Sequence, residues 1–205
     1  MGRLKCATRM TPKEWAVLAQ AAYSATPDIG QENSAARIVF NHTPDGFILA
    51  IPGTNNESCA LADVDAIPHD AGPCGWVHKG IWCAFDSIWG DVAKLAPDAL
   101  VGHSEGAAGA IYLAARLCLI GKAPKIVYAW ESPRTSIDAN LADIFTKYGV
   151  ELHLMWHGED IVPTVPLALP FMGWRHPVAL ERFGRPFLPF PNITDHMMVN
   201  IIADL

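Results

Sequence analysis

An α/β fold, with a mostly parallel sheet covered by helices, is predicted by three features of the sequence. Strand-like and helix-like segments alternate through the middle of the chain, as parallel strands joined by crossover helices require. One such strand-to-helix junction, ALVGHSEGAAG (99–109), sets a glycine two places before and two places after a serine. The chain has 205 residues, 51% apolar and 18% charged, enough for a sizeable core in one domain. No repeat, low-complexity tract or linker interrupts it, so a single domain spanning residues 1–205 is expected.

The elements follow in order. Thr11-Pro12-Lys13-Glu14 is a capping box with proline at the first helical position, and predicts a helix to about Ser24. Ala36–Asn41 and Phe47–Ile51 are β-prone runs flanking the turn signal Thr43-Pro44-Asp45-Gly46, and predict a hairpin. Ile81, Phe85, Ile88, Trp89 and Val92 recur at helical spacing, predicting a helix over Gly80–Ala96 that Pro97 ends. Asp98–Gly102 is then a strand and Glu105–Ile120 a helix closed by Gly121. Lys125–Trp130 and Glu151–Trp156 are further strands, with a helix over Ser136–Tyr148 between them. The last forty residues are proline-rich and predicted irregular, apart from a short helix starting near Asp195.

Several functions are excluded early. A net charge of -6 without a Lys/Arg run does not suit a nucleic-acid partner. No stretch approaches the ~18–20 apolar residues of a spanning helix, so no stable membrane insertion is expected. MGRLKCATRMTPKEW lacks the apolar core of a secretory signal, which predicts a cytoplasmic setting, with export by another route left open. The five cysteines (6, 59, 74, 83 and 118) are odd in number and sparse, pointing to a reduced compartment. Cys59–Cys74 is the one pair with a claim to be bridged. Cys59, His69, Cys74, His78 and Cys83 fit no zinc spacing, so no metal is expected, and no cofactor.

The junction at Ser104 carries the chemistry. A strand that reverses abruptly into a helix holds its apex residue in a strained conformation, and the positions two before and two after have no room for a Cβ. Gly102 and Gly106 remove those clashes. Ser104 is thereby presented at the sheet's C-terminal edge, with the Glu105 amide at the helix N-terminus pointing where an oxyanion would form. The five-residue motif alone is weak; the flanking strand and helix strengthen it.

A serine hydroxyl needs a base, and the base an orienting acid, expected later in the chain in the order Ser, Asp or Glu, His. The candidates lie in MWHGEDIVPTVP (155–166) and ITDHMMVN (193–200). Asp160 follows a strand, and Pro163 and Pro166 stiffen its exit; Glu159 is its neighbour. His196 stands on a C-terminal loop able to close over the serine, with His153 and His157 as rivals. His103 falls on the wrong side of the alternation and is expected to pack or hydrogen-bond locally. Asp195 is a candidate helix cap as much as an acid.

Six blocks, in order, resemble the class 3 lipases, the α/β-hydrolase group of fungal triacylglycerol lipases and feruloyl esterases. FILAIPGT (47–54) is similar to that family's strand ending in Arg-Gly-Ser/Thr. GWVHKGIWCAFDSIWGDV (75–92) resembles its Val-His-x-Gly-Phe helix entry, and ALVGHSEGA (99–107) its Gly-His-Ser-Leu-Gly-Gly elbow. WESPRTS (130–136) is similar to Gly-x-Pro-Arg-Val-Gly, HGEDIVPTVP (157–166) to Asn-x-x-Asp-x-Val-Pro-x-Leu-Pro, and TDHMMVN (194–200) to Asp-His-x-x-Tyr. The resemblance implies an α/β-hydrolase with Ser104 as nucleophile, Asp160 as acid and His196 as base. It implies Thr54 as an oxyanion contributor beside Glu105. Pro52, Glu105 and Ala107 depart from the pattern, replacing arginine, leucine or glutamine, and the second elbow glycine.

Residues 55–73 occupy the family's lid position. Only Leu61, Val64 and Ile67 give that flap apolar bulk, against Glu57, Asp63, Asp65 and Asp70. A serine carboxylic ester hydrolase acting on short-chain or soluble esters is therefore expected, with a small-molecule ester or lipid as partner. Val165–Trp174 is the expected acyl-side wall, with Leu61, Leu167, Leu169 and Phe171 lining the pocket, although plain core packing accounts for the run equally well. An acyltransferase or thioesterase with the same triad, or a catalytically silent binding module on this fold, are the alternatives.

Overall fold

The computed structural model describes residues 10–34, 36–54, 67–168 and 173–205. Helix α1 (Pro12–Ala21) starts as its capping box requires: Glu14 N–H donates to Thr11 Oγ1 at 3.3 Å, and Thr11 N–H donates to Glu14 Oε2 at 2.6 Å. Strands β1 (Ile29–Gly30), β2 (Arg37–Thr43) and β3 (Gly46–Ile51) form an antiparallel meander. A separate hairpin pairs β4 (Pro68–Asp70) with β5 (Trp76–His78).

Helices α2 (Lys79–Asp86) and α3 (Trp89–Val92) lead to β6 (Ala99–His103), α4 (Glu105–Leu119), β7 (Ile126–Trp130), α5 (Asn140–Tyr148) and β8 (Glu151–His157). After β9 (Leu180–Phe183) and a 3-10 turn at Thr194–His196, α6 (Met198–Ala203) closes the chain. The seven-stranded sheet runs β1-β2-β3-β6-β7-β8-β9, parallel from β3 onward.

The two-residue period of the strands sorts side chains to two layers. Leu49, Ile51, Leu100, Val127, Ala129 and Leu154 face one cluster, built with α2, α4 and α5. Ile48, Ala50, Ala99, Val101, Tyr128, Trp130 and Met155 face the other, built with α1 and α6. Trp15 of α1 stacks on Tyr128 at 5.1 Å between ring centroids. With both faces covered, every residue of β6 is buried.

Three expectations are corrected. The helix expected over Gly80–Ala96 breaks in two, because Ser87 Oγ bonds back to the Ala84 carbonyl at 2.6 Å and competes with helix continuation. The helix expected from Ser136 starts only at Asn140, because Ser136 bridges Val77 and Arg175, and Asp138 Oδ1 accepts the Asn140 N–H at 3.1 Å. The C-terminal forty residues are not irregular throughout: β9 adds a parallel edge strand beside β8. Cys74 is a buried free thiol, and Cys59 lies outside the described residues.

Candidate active site

The parallel strands deliver their C-terminal ends to one edge, and the predicted residues gather there. At the end of β6, Ser104 has φ 58° and ψ -130°, and its N–H donates to the Trp130 carbonyl at 2.9 Å. The turn is as tight as the sequence implies. A Cβ on Gly102 would stand 2.3 Å from the Gly106 carbonyl oxygen; one on Gly106, 2.4 Å from the oxygens of both Ile51 and Pro52. The same crowding brings the end of β3 against the elbow, since a Cβ on Gly53 would lie 2.8 Å from Ser104 Cβ. Thr54 follows directly, with its Oγ1 buried and unpartnered.

Ser104 does not cap α4, so the Glu105 amide opens the helix as one of its free N-terminal donors. Burial pushes the Glu105 carboxyl up from its usual value.

Asp160 stands just past β8. Its carboxylate is fully buried, with Oδ1 accepting the Val162 N–H at 3.0 Å and Oδ2 lying 2.6 Å from His196 Nδ1. A carboxylate there makes Nδ1 the protonated nitrogen, so Nε2 is the one available as a base. That Nε2 is buried and has no hydrogen-bond partner, so Ser104 Oγ does not bond to it. Such bonds commonly close only when substrate arrives. Asp160 and His196 are thus joined directly, and Ser104 is brought to them through its neighbour: the rings of His103 and His196 lie 4.5 Å apart.

His103 does bond locally, through a relay that ties three parts of the site. Gly53 N–H donates to Tyr23 Oη at 3.0 Å, and Tyr23 Oη lies 2.6 Å from His103 Nδ1. His103 Nε2 meets the His196 carbonyl at 2.9 Å. Because that carbonyl only accepts, Nε2 carries the proton and Nδ1 accepts from the tyrosine. Burial, and then the His196 charge, hold His103 well below the usual histidine range, in agreement with a neutral ring.

The rivals are tied elsewhere. His153 lies between Glu151 (3.0 Å) and Glu181 (2.8 Å), and His157 between the Asp195 carbonyl (2.9 Å) and Asp204 (3.0 Å). Glu159 pairs with Arg182 at 2.9 Å. Asp195 accepts the N–H groups of Glu159 (2.9 Å) and Phe187 (2.9 Å), along with the Asn192 amide (3.0 Å). Burial opposes the charge on Asp195, but those hydrogen bonds hold its carboxyl below the usual range. Of the expected pocket residues, Leu167 is 64% exposed, while Leu61, Leu169 and Phe171 lie outside the described residues. Of the flap expected over 55–73, residues 55–66 also lie outside them and the remainder holds β4.

Sequence reasoning missed Tyr23 and one buried acid. Glu131, at the end of β7, is fully buried at φ 52° against Asp160. The signal was available in WESPRTS, where Glu131 stands in the place of a glycine.

The chain is similar to known proteins of one family. Residues 48–169 match the family model Lipase (class 3). Two relatives, each the secreted mono- and diacylglycerol lipase A of Penicillium cyclopium and of Penicillium camembertii, are 28% identical over 186 residues, covering 85% of this chain. The chain spans 59% of their length.

Among solved structures, the Rhizomucor miehei lipase in complex with its propeptide superposes with a TM-score of 0.64 at 20% identity, over 87% of this chain and 72% of that one. A triacylglycerol lipase described as having a serine protease triad for its catalytic centre reaches 0.70 at 18% identity, over 91% and 94%. The shared architecture is the α/β-hydrolase fold. Among the described residues no helix is long and apolar enough to cross a membrane.

Proposed function

We propose that this chain, which belongs to the class 3 lipase family, hydrolyses carboxylic esters through an acyl-enzyme on Ser104. The observation that carries the reading is the buried Asp160–His196 pair, which leaves His196 Nε2 as the unengaged ring nitrogen, with the imidazole 4.5 Å from the ring of His103, the residue before the elbow serine. In this mechanism His196 Nε2 takes the Ser104 proton as Oγ attacks the ester carbonyl. The Glu105 amide and Thr54, through its amide and its unpartnered hydroxyl, stabilise the oxyanion. His196 then returns the proton to the leaving alcohol as the ester C–O bond breaks. Water, deprotonated by the same nitrogen, attacks the acyl group and releases the acid and Ser104. Asp160 orients the imidazole and stabilises it while charged.

The substrate class is read from the flap sequence. The acidic flap sequence, with three bulky apolar residues, supports short-chain or soluble esters over an oil surface. A second reading, partial acylglycerols, is favoured by the names of the Penicillium relatives and by apolar side chains exposed around the base: Ile193 (38%), Met197 (48%) and Val199 (57%). Those relatives are also named as secreted, which pulls against the cytoplasmic setting expected from the N-terminal segment.

A chain-length series of p-nitrophenyl esters, with and without emulsion, separates the two. The proposal expects turnover of monomeric short-chain esters with no jump at the emulsion threshold. Activity confined to the emulsion selects acylglycerols, and no turnover of any ester overturns hydrolysis.

A further inference from the structure

Glu131 is a buried acid that the mechanism above leaves unused. It follows β7 directly at φ 52°, a left-handed conformation that favours glycine, yet it carries a full side chain into the interior. Its exposure is 0%. Oε1 accepts the His157 N–H at 2.6 Å. Oε2 is buried with no N–H or O–H to accept from.

The loop that Oε1 holds through His157 N–H turns back on itself, with Asp160 N–H donating to the His157 carbonyl at 3.1 Å. It brings the fully buried Asp160, already accepting from His196 Nδ1 and Val162 N–H, to the Glu131 carboxyl. Asp195, from the turn before His196, adds a further negative charge. Two ionised carboxylates in contact in a closed space repel and have no proton to share; one proton turns the contact into a hydrogen bond. Burial first, and the Asp160 charge second, push the Glu131 carboxyl well above its usual 4.5. Asp160 already accepts from two donors whereas Glu131 Oε2 has none, so Glu131 is the partner that carries the shared proton.

We propose that Glu131 is a positioning residue for Asp160: it stands as a neutral carboxylic acid whose Oε2 hydroxyl donates to the Asp160 carboxylate and holds it in line with His196 Nδ1. This rests on the reading of Asp160 and His196 as the catalytic pair. The left-handed backbone at Glu131 is what aims the side chain at the acid loop across the β7–β8 edge. The third hydrogen bond also disperses the Asp160 charge, which weakens its hold on a protonated His196. Among the described residues, the titratable groups around that imidazole are Asp160 in direct contact, the neutral His103 ring against its face, and Asp195 and His157 behind the turn.

The test uses the full chain with Glu131→Gly and Glu131→Gln. Glycine relaxes the backbone and deletes the donor; glutamine keeps an acceptor for His157 N–H and an amide donor for Asp160. Glu131→Gly is expected to lower kcat about tenfold with little change in KM, and to move the acidic limb of the pH–rate profile to higher pH. Glu131→Gln is expected to recover both. Infrared difference spectra at neutral pH are expected to show a protonated-carboxyl C=O stretch in the wild type that Glu131→Gln lacks.

Absence of that band, or a Glu131→Gly variant with wild-type kcat and pH profile, overturns the proposal. If the wild type shows neither ester turnover nor serine labelling, the hydrolase reading fails, while the band still decides whether Glu131 carries the proton.

Discussion

His196 Nδ1 lies 2.6 Å from Asp160 Oδ2, with both side chains closed off from water. In that setting the carboxylate fixes the tautomer as well as the orientation of the ring. Asp160→Asn preserves shape but offers an amide that can turn its N–H toward Nδ1, placing the imidazole proton on the wrong nitrogen. The expected loss is about 10⁴-fold in kcat with a folded protein, measured on a soluble ester beside a near-ultraviolet dichroism spectrum. A loss under tenfold would mean that another group orients His196.

Tyr23 links the Gly53-Thr54 turn to the His196 carbonyl through His103. Tyr23→Phe strands the Gly53 N–H and His103 Nδ1, at a cost of about 1–3 kcal/mol each way such groups are left buried. We expect a lower urea midpoint together with a reduced kcat, because the Gly53-Thr54 turn loses its anchor. A stability loss with unchanged kcat would confine the relay to a structural role.

The elbow's spacing makes a sharper contrast. Gly106→Ala forces a Cβ onto two backbone carbonyl oxygens at 2.4 Å, which cannot swing away as a side chain can. It should cost about 3 kcal/mol or more in denaturant titration and slow the chemistry at Ser104. Gly90→Ala, in α3 with nothing within 4 Å of the new methyl, should be neutral or stabilise by up to about 1 kcal/mol. Equal effects at the two sites would remove the steric account of the turn.

Two buried groups make stability depend on pH with opposite signs. His103 is held neutral far below its usual 6.5, so the unfolded chain binds the extra proton: stability is present above about pH 6.5 and falls as pH drops below it, by at most about 1.4 kcal/mol per pH unit for the site. Glu131 is held protonated above its usual 4.5, so there the native state binds the extra proton and stability falls as pH rises from 4.5 toward the raised value. Between pH 7 and 5 the two slopes oppose each other, so thermal melts of Glu131→Gln, which keeps only the His103 slope, should show stability falling from pH 7 to 5 more steeply than in the wild type. The advantage of Glu131→Gln over the wild type should grow as pH rises from 4.5. An advantage that shrinks with rising pH would mean that Glu131 is ionised in the folded protein.

The parts of this molecule most legible in its sequence are those where sterics leave one solution. Gly102 and Gly106 announce the elbow because no other residue fits between β6, α4 and the carbonyls of Ile51 and Pro52. The alternation of β3, β6 and β7 side chains between two buried clusters follows from apolar runs covered on both faces. What escaped depends on side-chain hydrogen bonds that no periodicity encodes: Ser87 breaking a helix, Ser136 recruited into bridges, Tyr23 joined to His103 across 80 residues. Strand β9 escaped because its edge position leaves Glu181 and Arg182 exposed, so no buried run marks it. Glu131 escaped because a glutamate after a strand reads as a surface acid until its backbone is seen to turn inward.

The central claim, an activated serine at position 104, is tested most directly by covalent labelling. A fluorophosphonate should modify the wild type stoichiometrically, with peptide mapping placing the adduct on Ser104. Ser104→Ala should take no label, and His196→Ala should react far more slowly. A folded wild type that stays unlabelled, or an adduct that persists in Ser104→Ala, would contradict the account.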